Sequence, residues 1–300
     1  MPIFHAIVLG VVQGLTEFIP VSSSGHLEAV PWLLGWKDFA GDPRLENTFD
    51  VALHLGTLVG CLICLWGDVS RYSKAGVKAL TGRGKWTNDA KVSILIIATA
   101  VPASLFAVSL ESFLLKQGER IGIIATCLII FGVALWQVDK RAPAKRVVTD
   151  LSFRHTLGLG LGQCLALLPG ASRSGVAITT ARSLGYERTG AVRLAFLMGL
   201  PIIAGAALFR LVGVVADGMP PDVWPALLIG ALASGVTGWL ALRTMLNWVH
   251  SRTYLGFALY PSKKCSASNM NSFLFLIKCF VLSLIFSKFS SLVIPSATST

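Results

Sequence analysis

Long apolar runs constrain the fold of this chain more than any other feature. Residues 92–110 (VSILIIATAVPASLFAVSL) and 224–242 (WPALLIGALASGVTGWLAL) contain no charged residue. A helix that crosses a bilayer needs about 20 predominantly apolar residues. Only 14% of the chain is charged, against roughly 25% in soluble domains. We therefore predict an all-α polytopic membrane protein, embedded in the lipid bilayer as one integral domain over residues 1–300.

The charge pattern orients the predicted spans. The candidate spans are residues 50–66, 91–110, 120–138, 191–213 and 223–242. Connections 67–91 and 139–154 are rich in Lys and Arg, whereas 36–50 and 214–223 are not. Cytoplasmic loops carry an excess of these residues, so we place the first pair in the cytoplasm and the second pair outside. These loops supply much of the net charge of +11, and we expect no nucleic-acid partner.

Two further stretches, 2–35 and 154–186, each consist of two short apolar pieces joined by a Pro/Ser/Gly turn. The alternation of sides requires each pair to leave the membrane on the side where it entered. This predicts two re-entrant helical hairpins. Irregular backbone at membrane depth is tolerated only against protein or a water-filled cavity. The two turns should therefore face each other across a protein-lined cavity.

The two stretches also resemble each other in sequence. GVVQGLTEFIPVSSSG (10–25) aligns with GLGQCLALLPGASRSG (160–175), with Gln13 and Gln163 standing 150 residues apart. Because the hairpins enter from opposite sides, the pattern predicts an inverted repeat with a site near its interface. Its halves are about 1–138 and 150–256. The tail, 257–300, diverges from this pattern, and we expect some helix there and little function.

The turns carry the groups expected of a phosphate site. A turn that begins a helix offers backbone N–H groups and the positive end of the helix dipole to an anion. Arg173 adds a planar guanidinium suited to bidentate phosphate contact. The predicted phosphate-binding residues are Gln13, in the helix before the first turn, and the turn residues Ser22, Ser23, Ser24, Gly25, Ser172, Arg173, Ser174 and Gly175.

Gln13 and Glu17 share one helix face that leads into the first turn. Glu17 could hold a divalent cation together with substrate, accept a proton from an attacking oxygen, or simply pair with Arg173. His26 could protonate a leaving phosphate or orient a serine. His54 could line the cavity, although we favour a structural role for it.

The motifs QGLTEFIPVSSSGH and PGASRSG resemble those of the bacitracin-resistance family of undecaprenyl-diphosphate phosphatases, over residues 1 to about 256. The resemblance implies a multi-pass enzyme of the bacterial inner (cytoplasmic) membrane, with six spanning helices and two re-entrant hairpins, often a homodimer. Its substrate would be a prenyl diphosphate lipid, undecaprenyl diphosphate. Removal of the terminal phosphate recycles the lipid carrier for cell-wall synthesis. The site would open to the periplasm, and Mg²⁺ or Ca²⁺ would assist.

The resemblance also assigns roles to individual residues. It implies Glu17, Ser23, His26 and Arg173 as catalytic residues, with Ser23 or a water as the attacking group. Gln13 stands where some members have glutamate. A cation bound by Gln13 and Glu17 would therefore depend chiefly on the Glu17 carboxylate.

Two other functions share features with this sequence pattern. Inverted repeats with broken helices also build secondary transporters, so a lipid-phosphate flippase or transporter is the alternative. The Glu–Ser–His–Arg set favours hydrolysis, because a carrier needs no nucleophile beside a base. Type-2 phosphatidic acid phosphatases have a similar SGH turn and SR motif, but their nucleophile is a histidine six residues after the arginine. This chain has Thr179 six residues after Arg173, so it does not fit that class well.

Overall fold

The computed structural model describes residues 1–118, 121–168 and 170–251, and all regular structure in these ranges is helical. The predicted tail, 257–300, lies outside them. The helices are α1 (Ile3–Phe18), α2 (Ser23–Leu34), α3 (Pro43–Cys64), α4 (Trp66–Leu80), α5 (Asn88–Ala98), α6 (Ala100–Gly118), α7 (Ile121–Arg141), α8 (Phe153–Leu165), α9 (Arg173–Ser183), α10 (Arg188–Asp217) and α11 (Trp224–Ser251).

Four stretches of the described residues are long and apolar enough to cross a bilayer. They are Pro43–Cys64, Asn88–Ser109, Arg188–Phe209 and Pro221–Val249. Each overlaps a predicted span, and α7 coincides with the predicted span at 120–138. The chain is therefore a polytopic helical membrane protein.

The predicted single helix at 91–110 is interrupted at Thr99, where α5 ends and α6 begins. Proline lacks the N–H that would bond the carbonyl four residues earlier, so Pro102 breaks the ladder at Ala98. The Thr99 carbonyl instead accepts a hydrogen bond from Gln163 Nε2 of α8 at 3.0 Å. Gln163 therefore anchors α8 to this break.

Two helix–turn–helix pairs, α1–α2 and α8–α9, consist of short helices. The helices have 16, 12, 13 and 11 residues in chain order. All four fall short of the roughly 20 residues that a span requires. This agrees with the prediction that neither piece of either stretch crosses the membrane by itself.

Close backbone packing against α11 fixes α1 and α3 relative to each other. A Cβ at Gly14 would lie 2.0 Å from Thr237 Oγ1, and one at Gly56 would lie 2.1 Å from the Ala231 carbonyl oxygen. Only glycine allows such approach, which is typical of membrane helix interfaces. The packing brings the C-terminal end of α1, with Glu17, beside the middle of α3, with His54.

Loops that the charge pattern places on one side of the membrane contact each other. Asn88 Nδ2 donates to the Thr149 carbonyl at 2.8 Å, which joins 67–91 to 139–154. Arg44 donates to the Gly218 carbonyl at 2.7 Å, which joins 36–50 to 214–223. The predicted grouping of these loops is therefore confirmed.

A buried ion cluster holds the far end of α9. Arg182 is 2% exposed, and its Nε donates to Asp139 Oδ1 of α7 at 3.0 Å. Arg188 Nε donates to the same oxygen at 2.9 Å. A buried charge is tolerated only when it is paired, so this cluster fixes α9 against α7.

Candidate active site

The turns before α2 and α9 have nearly the same backbone conformation. Ser22 has φ 66° and ψ 100°, and Ser172 has φ 56° and ψ 102°. Each serine caps its helix, because Ser22 Oγ accepts from Gly25 N at 3.4 Å and Ser172 Oγ accepts from Gly175 N at 3.2 Å. Positions 150 residues apart thus form one local structure twice.

The serine hydroxyls next to the capping serines are also arranged alike in the two turns. Ser22 Oγ lies 3.3 Å from Ser24 Oγ, and Ser172 Oγ lies 3.4 Å from Ser174 Oγ. These four hydroxyls hold the turns in shape at the N-terminal ends of α2 and α9. The first N–H groups of a helix have no partner within it, so both turns end in a set of backbone donors.

The carboxylate of Glu17 joins the two turns. Ser23 Oγ donates to Glu17 Oε2 at 2.7 Å, and the Arg173 guanidinium donates to Glu17 Oε1. Ser23 and Arg173 are the first residues of α2 and α9, so they occupy corresponding positions. The Glu17 side chain is only 4% exposed. The structure therefore brings three predicted catalytic residues together, across the two hairpins.

The turns also lie close together, since a Cβ added at Gly175 would reach van der Waals distance of Pro20 Cβ, at 3.4 Å. Beside this point, α7 covers the turns through Phe131 and Leu135. Protein therefore surrounds the meeting point of the tips, as expected for irregular backbone in an apolar environment.

Gln13 is fully buried beside Glu17. Its Nε2 donates to Glu17 Oε2 at 3.0 Å, whereas its Oε1 is the one buried side-chain oxygen or nitrogen of the described residues without a hydrogen-bond partner. Turning the amide over would place its oxygen against the carboxylate, so the hydrogen bond fixes the orientation. An acceptor is thus left for a donor or a cation.

His26 binds the turn that precedes it. Its Nδ1 lies 2.7 Å from the Ser22 carbonyl oxygen, and the side chain is buried. Of its two predicted roles, this contact favours orientation of the serine turn. Its role as an acid stays a prediction.

His54 lies closer to the chemistry than we expected. Its Nε2 is 3.7 Å from Glu17 Oε2, and its Nδ1 is 2.8 Å from the Asp50 carbonyl oxygen. The structure therefore favours the cavity-lining alternative over the structural role. The two repeated motifs do not mark His54, because it belongs to α3 rather than to either turn.

A cavity of about 700 Å³ reaches the site at Ser24 and His54. Its walls are α2, α3, the segment 36–41 and the residues just after α8. Segment 36–50 is the one that the charge pattern places outside. The cavity therefore borders the site at Ser24 and His54, on the side of segment 36–41.

Sequence comparison places the chain in a known family. The family described as Bacitracin resistance protein BacA matches residues 6–262. The chain belongs to the BacA family. This match includes both turns, Glu17 and His54.

Relatives of this BacA chain carry the name undecaprenyl-diphosphatase. The relative from Pelobacter propionicus is 40% identical over 264 residues, which are 87% of this chain and 93% of the relative. That from Geobacter metallireducens is 40% identical over 262 residues, 86% and 91% of the two chains. That from Teredinibacter turnerae is 32% identical over 260 residues, 87% and 96%.

The BacA site offers a divalent cation few ligands of its own. Among the described residues there is no group of three His, Cys, Asp or Glu side chains placed for a metal. Glu17 and Gln13 Oε1 nevertheless supply two oxygen donors side by side. Mg²⁺ is commonly held by one or two carboxylates and substrate phosphates. The donor set therefore fits a cation that is held chiefly by the substrate.

Proposed function

We propose that this chain is an undecaprenyl-diphosphate phosphatase. It hydrolyses undecaprenyl diphosphate to undecaprenyl phosphate and inorganic phosphate, which recycles the lipid carrier for cell-wall synthesis and confers bacitracin resistance. The observation that carries the proposal is the junction at Glu17, where a serine hydroxyl from one helix N-terminus and a guanidinium from another meet one buried carboxylate. The names of the relatives support it.

Ser23 is the nucleophile we propose. Among the three serines of the first turn, Ser22 Oγ caps α2 and Ser24 Oγ pairs with Ser22, whereas Ser23 Oγ donates to Glu17. A hydroxyl within hydrogen-bond reach of a base is the arrangement of an activated nucleophile.

The reaction follows from these positions. Arg173 and the helix N–H groups hold the diphosphate, and positioning with charge neutralisation dominates phosphoryl transfer. Ser23 Oγ attacks the terminal phosphorus while its proton passes to Glu17. The bond to the bridging oxygen breaks, and its electron pair leaves with undecaprenyl phosphate. Water then hydrolyses the phosphoserine and releases phosphate, and His26 keeps the serine turn oriented throughout.

A divalent cation, Mg²⁺ or Ca²⁺, is part of the proposal. Glu17 and Gln13 Oε1 would hold it together with substrate, and it would supply neutralisation of phosphate charge. We expect inorganic pyrophosphate and Mg²⁺ added together to raise the melting temperature by more than the sum of the shifts that each gives alone. The extra shift should disappear in Gln13→Leu, and its persistence there would remove Gln13 from the ligand set.

We also propose the finer topology. Six spans, two re-entrant hairpins and an inverted repeat of 1–138 and 150–256 are supported by the short hairpin helices and the matching turns. With the site opening to the periplasm of an inner-membrane protein, Lys37→Cys should react with an impermeant maleimide on intact cells. Lys85→Cys should react only after lysis. The opposite pattern would reverse the orientation.

The resemblance to the family further leads us to propose a homodimer. Light scattering of the protein in detergent should then give twice the protein mass of one chain, whereas the mass of a single chain would contradict this proposal.

The decisive experiment measures phosphate release from undecaprenyl diphosphate by purified protein. Glu17→Ala and Arg173→Ala should abolish it, while Arg193→Gln should not, because Arg193 of α10 is half-exposed and pairs with Asp68 of α4 rather than with Glu17. Equal rates in all variants would exclude hydrolysis at this site. Lipid transport that survives in the two inactive variants would show a flippase activity besides hydrolysis.

A further inference from the structure

We infer that His54 is a further phosphate-binding residue, which contacts the substrate diphosphate from the cavity side. The inference rests on the proposed function and adds a third element, α3, to a site otherwise formed by the two hairpins. His54 is absent from both motifs that identify the family.

The orientation of the imidazole is fixed by its neighbours. A carbonyl oxygen only accepts, so Nδ1, 2.8 Å from the Asp50 oxygen, carries a hydrogen. Nε2 consequently faces Glu17 Oε2 at 3.7 Å, beyond hydrogen-bond distance. As an imidazolium, the ring would direct its second N–H towards the site.

His54 stands between the cavity and the buried carboxylate. Its side chain is 33% exposed, against 4% for Glu17, and it lines the cavity together with Ser24. A phosphate that enters from the cavity therefore passes His54 before it reaches Glu17.

Ser23 and His54 approach the same oxygen of Glu17. Ser23 Oγ lies 2.7 Å from Oε2, and His54 Nε2 lies 3.7 Å from it. A phosphorus in position for attack lies about 3 to 3.5 Å from the nucleophile. A tetrahedral phosphate at that place, on the cavity side, can direct an oxygen towards Nε2.

The charges around the site favour a further hydrogen-bond donor to the substrate diphosphate. Arg173 is already paired with Glu17, and the cavity that His54 lines has more acidic than basic side chains, among them Asp50 of its own helix and Glu28 of α2. A diphosphate brings further negative charge into this environment. His54 is the basic side chain from α3 that can meet it.

The experiment compares His54→Leu with His54→Gln in the full-length protein. Removing a hydrogen bond to a charged group costs about 1.5 to 3 kcal/mol, so we expect Leu to raise KM for undecaprenyl diphosphate at least ~10-fold. The inhibition constant of inorganic pyrophosphate should rise in parallel, with a smaller fall in kcat. Gln retains an N–H donor and should stay within about threefold of the parent for both constants.

His155→Leu is the matched control, because His155 is a histidine outside the site, 2.8 Å from the Tyr186 hydroxyl. Melting temperatures in detergent identify variants that fail to fold. Unchanged KM and inhibition constants in His54→Leu would overturn the inference, and so would equal losses in Leu and Gln, which would indicate shape rather than donation.

The two proposals can fail separately. If the parent protein releases no phosphate, the phosphatase function fails. Pyrophosphate binding to the parent and to His54→Leu, followed by thermal shift, then still decides whether His54 binds phosphate.

Discussion

The turns at residues 20–25 and 170–175 have one backbone design and different chemistry. Ser22 and Ser172 adopt the same unusual conformation and cap the same way. One residue later the first turn has Ser23 and the second has Arg173, and both contact Glu17. The repeat thus provides two equivalent helix N-termini, one that carries the proposed nucleophile and one that carries a guanidinium cation.

The surroundings of the two turns differ as well. The first hairpin contains Glu17 and Gln13 and lies beside His54 of α3, whereas the equivalent glutamine of the second hairpin, Gln163, binds the Thr99 carbonyl. The second hairpin is tied down by the Arg182–Asp139 cluster. Under the proposed mechanism, the first hairpin serves proton transfer and the second presents a charge rigidly.

The largest expected effect comes from removing the cation of the second turn. Arg173→Ala should lower kcat/KM by about 10³-fold or more, because charge neutralisation dominates phosphoryl transfer. Arg173→Lys should recover part of the activity, since it keeps the charge without the planar fork. Steady-state phosphate release measures both. Full activity in Arg173→Ala would show that the second turn is only a scaffold.

Removing the hydroxyl at the corresponding position of the first turn comes next. Ser23→Ala should lower kcat by about 10³-fold through loss of the nucleophile. Ser174→Ala, in the second turn, should cost less than about fivefold, because its neutral hydrogen bond to Ser172 is worth only about 1 kcal/mol. If the two variants lose activity equally, the division of labour between the turns is wrong.

The anchor of the second hairpin should govern stability. Arg182→Gln removes the fully buried partner of Asp139. Because Arg188 still pairs with that carboxylate, the cost should fall below the roughly 3 to 5 kcal/mol of a buried charge left without any partner. Arg188→Gln is the control, because Arg188 is 33% exposed and its pairing is partly screened by solvent. Thermal unfolding in detergent should show a clear drop for the first variant and a small one for the second.

The smallest effect concerns the caps. Ser22→Ala and Ser172→Ala should each destabilise by about 1 kcal/mol, whereas the glycine variants should cost only a few tenths. Glycine also adopts positive φ without strain, and alanine does not. Thermal unfolding of the four variants should rank them alike at both turns. A different ranking at one turn would show that the two conformations are stabilised by different means.

The features that could be predicted from the sequence are those marked by short-range patterns. The Pro/Ser/Gly turns, the spacing of Gln13 and Gln163 and the uncharged runs are short-range patterns, and the helices and the meeting of the tips agree with them. No short-range pattern marks Arg182, because its partner Asp139 lies 43 residues away. His54 was underrated for the same reason. Pro102 was visible, but its position inside a long apolar run masked the break at Thr99.

The Glu17–Arg173 ion pair has a consequence for when the site becomes competent. One guanidinium cannot give its full fork to a carboxylate and to a phosphate at once. An arriving diphosphate must therefore compete for Arg173, and each contact that it gains loosens the hold on Glu17. Substrate binding would thus release Glu17 to act as a base. Without substrate, Glu17 and Arg173 would remain paired with each other.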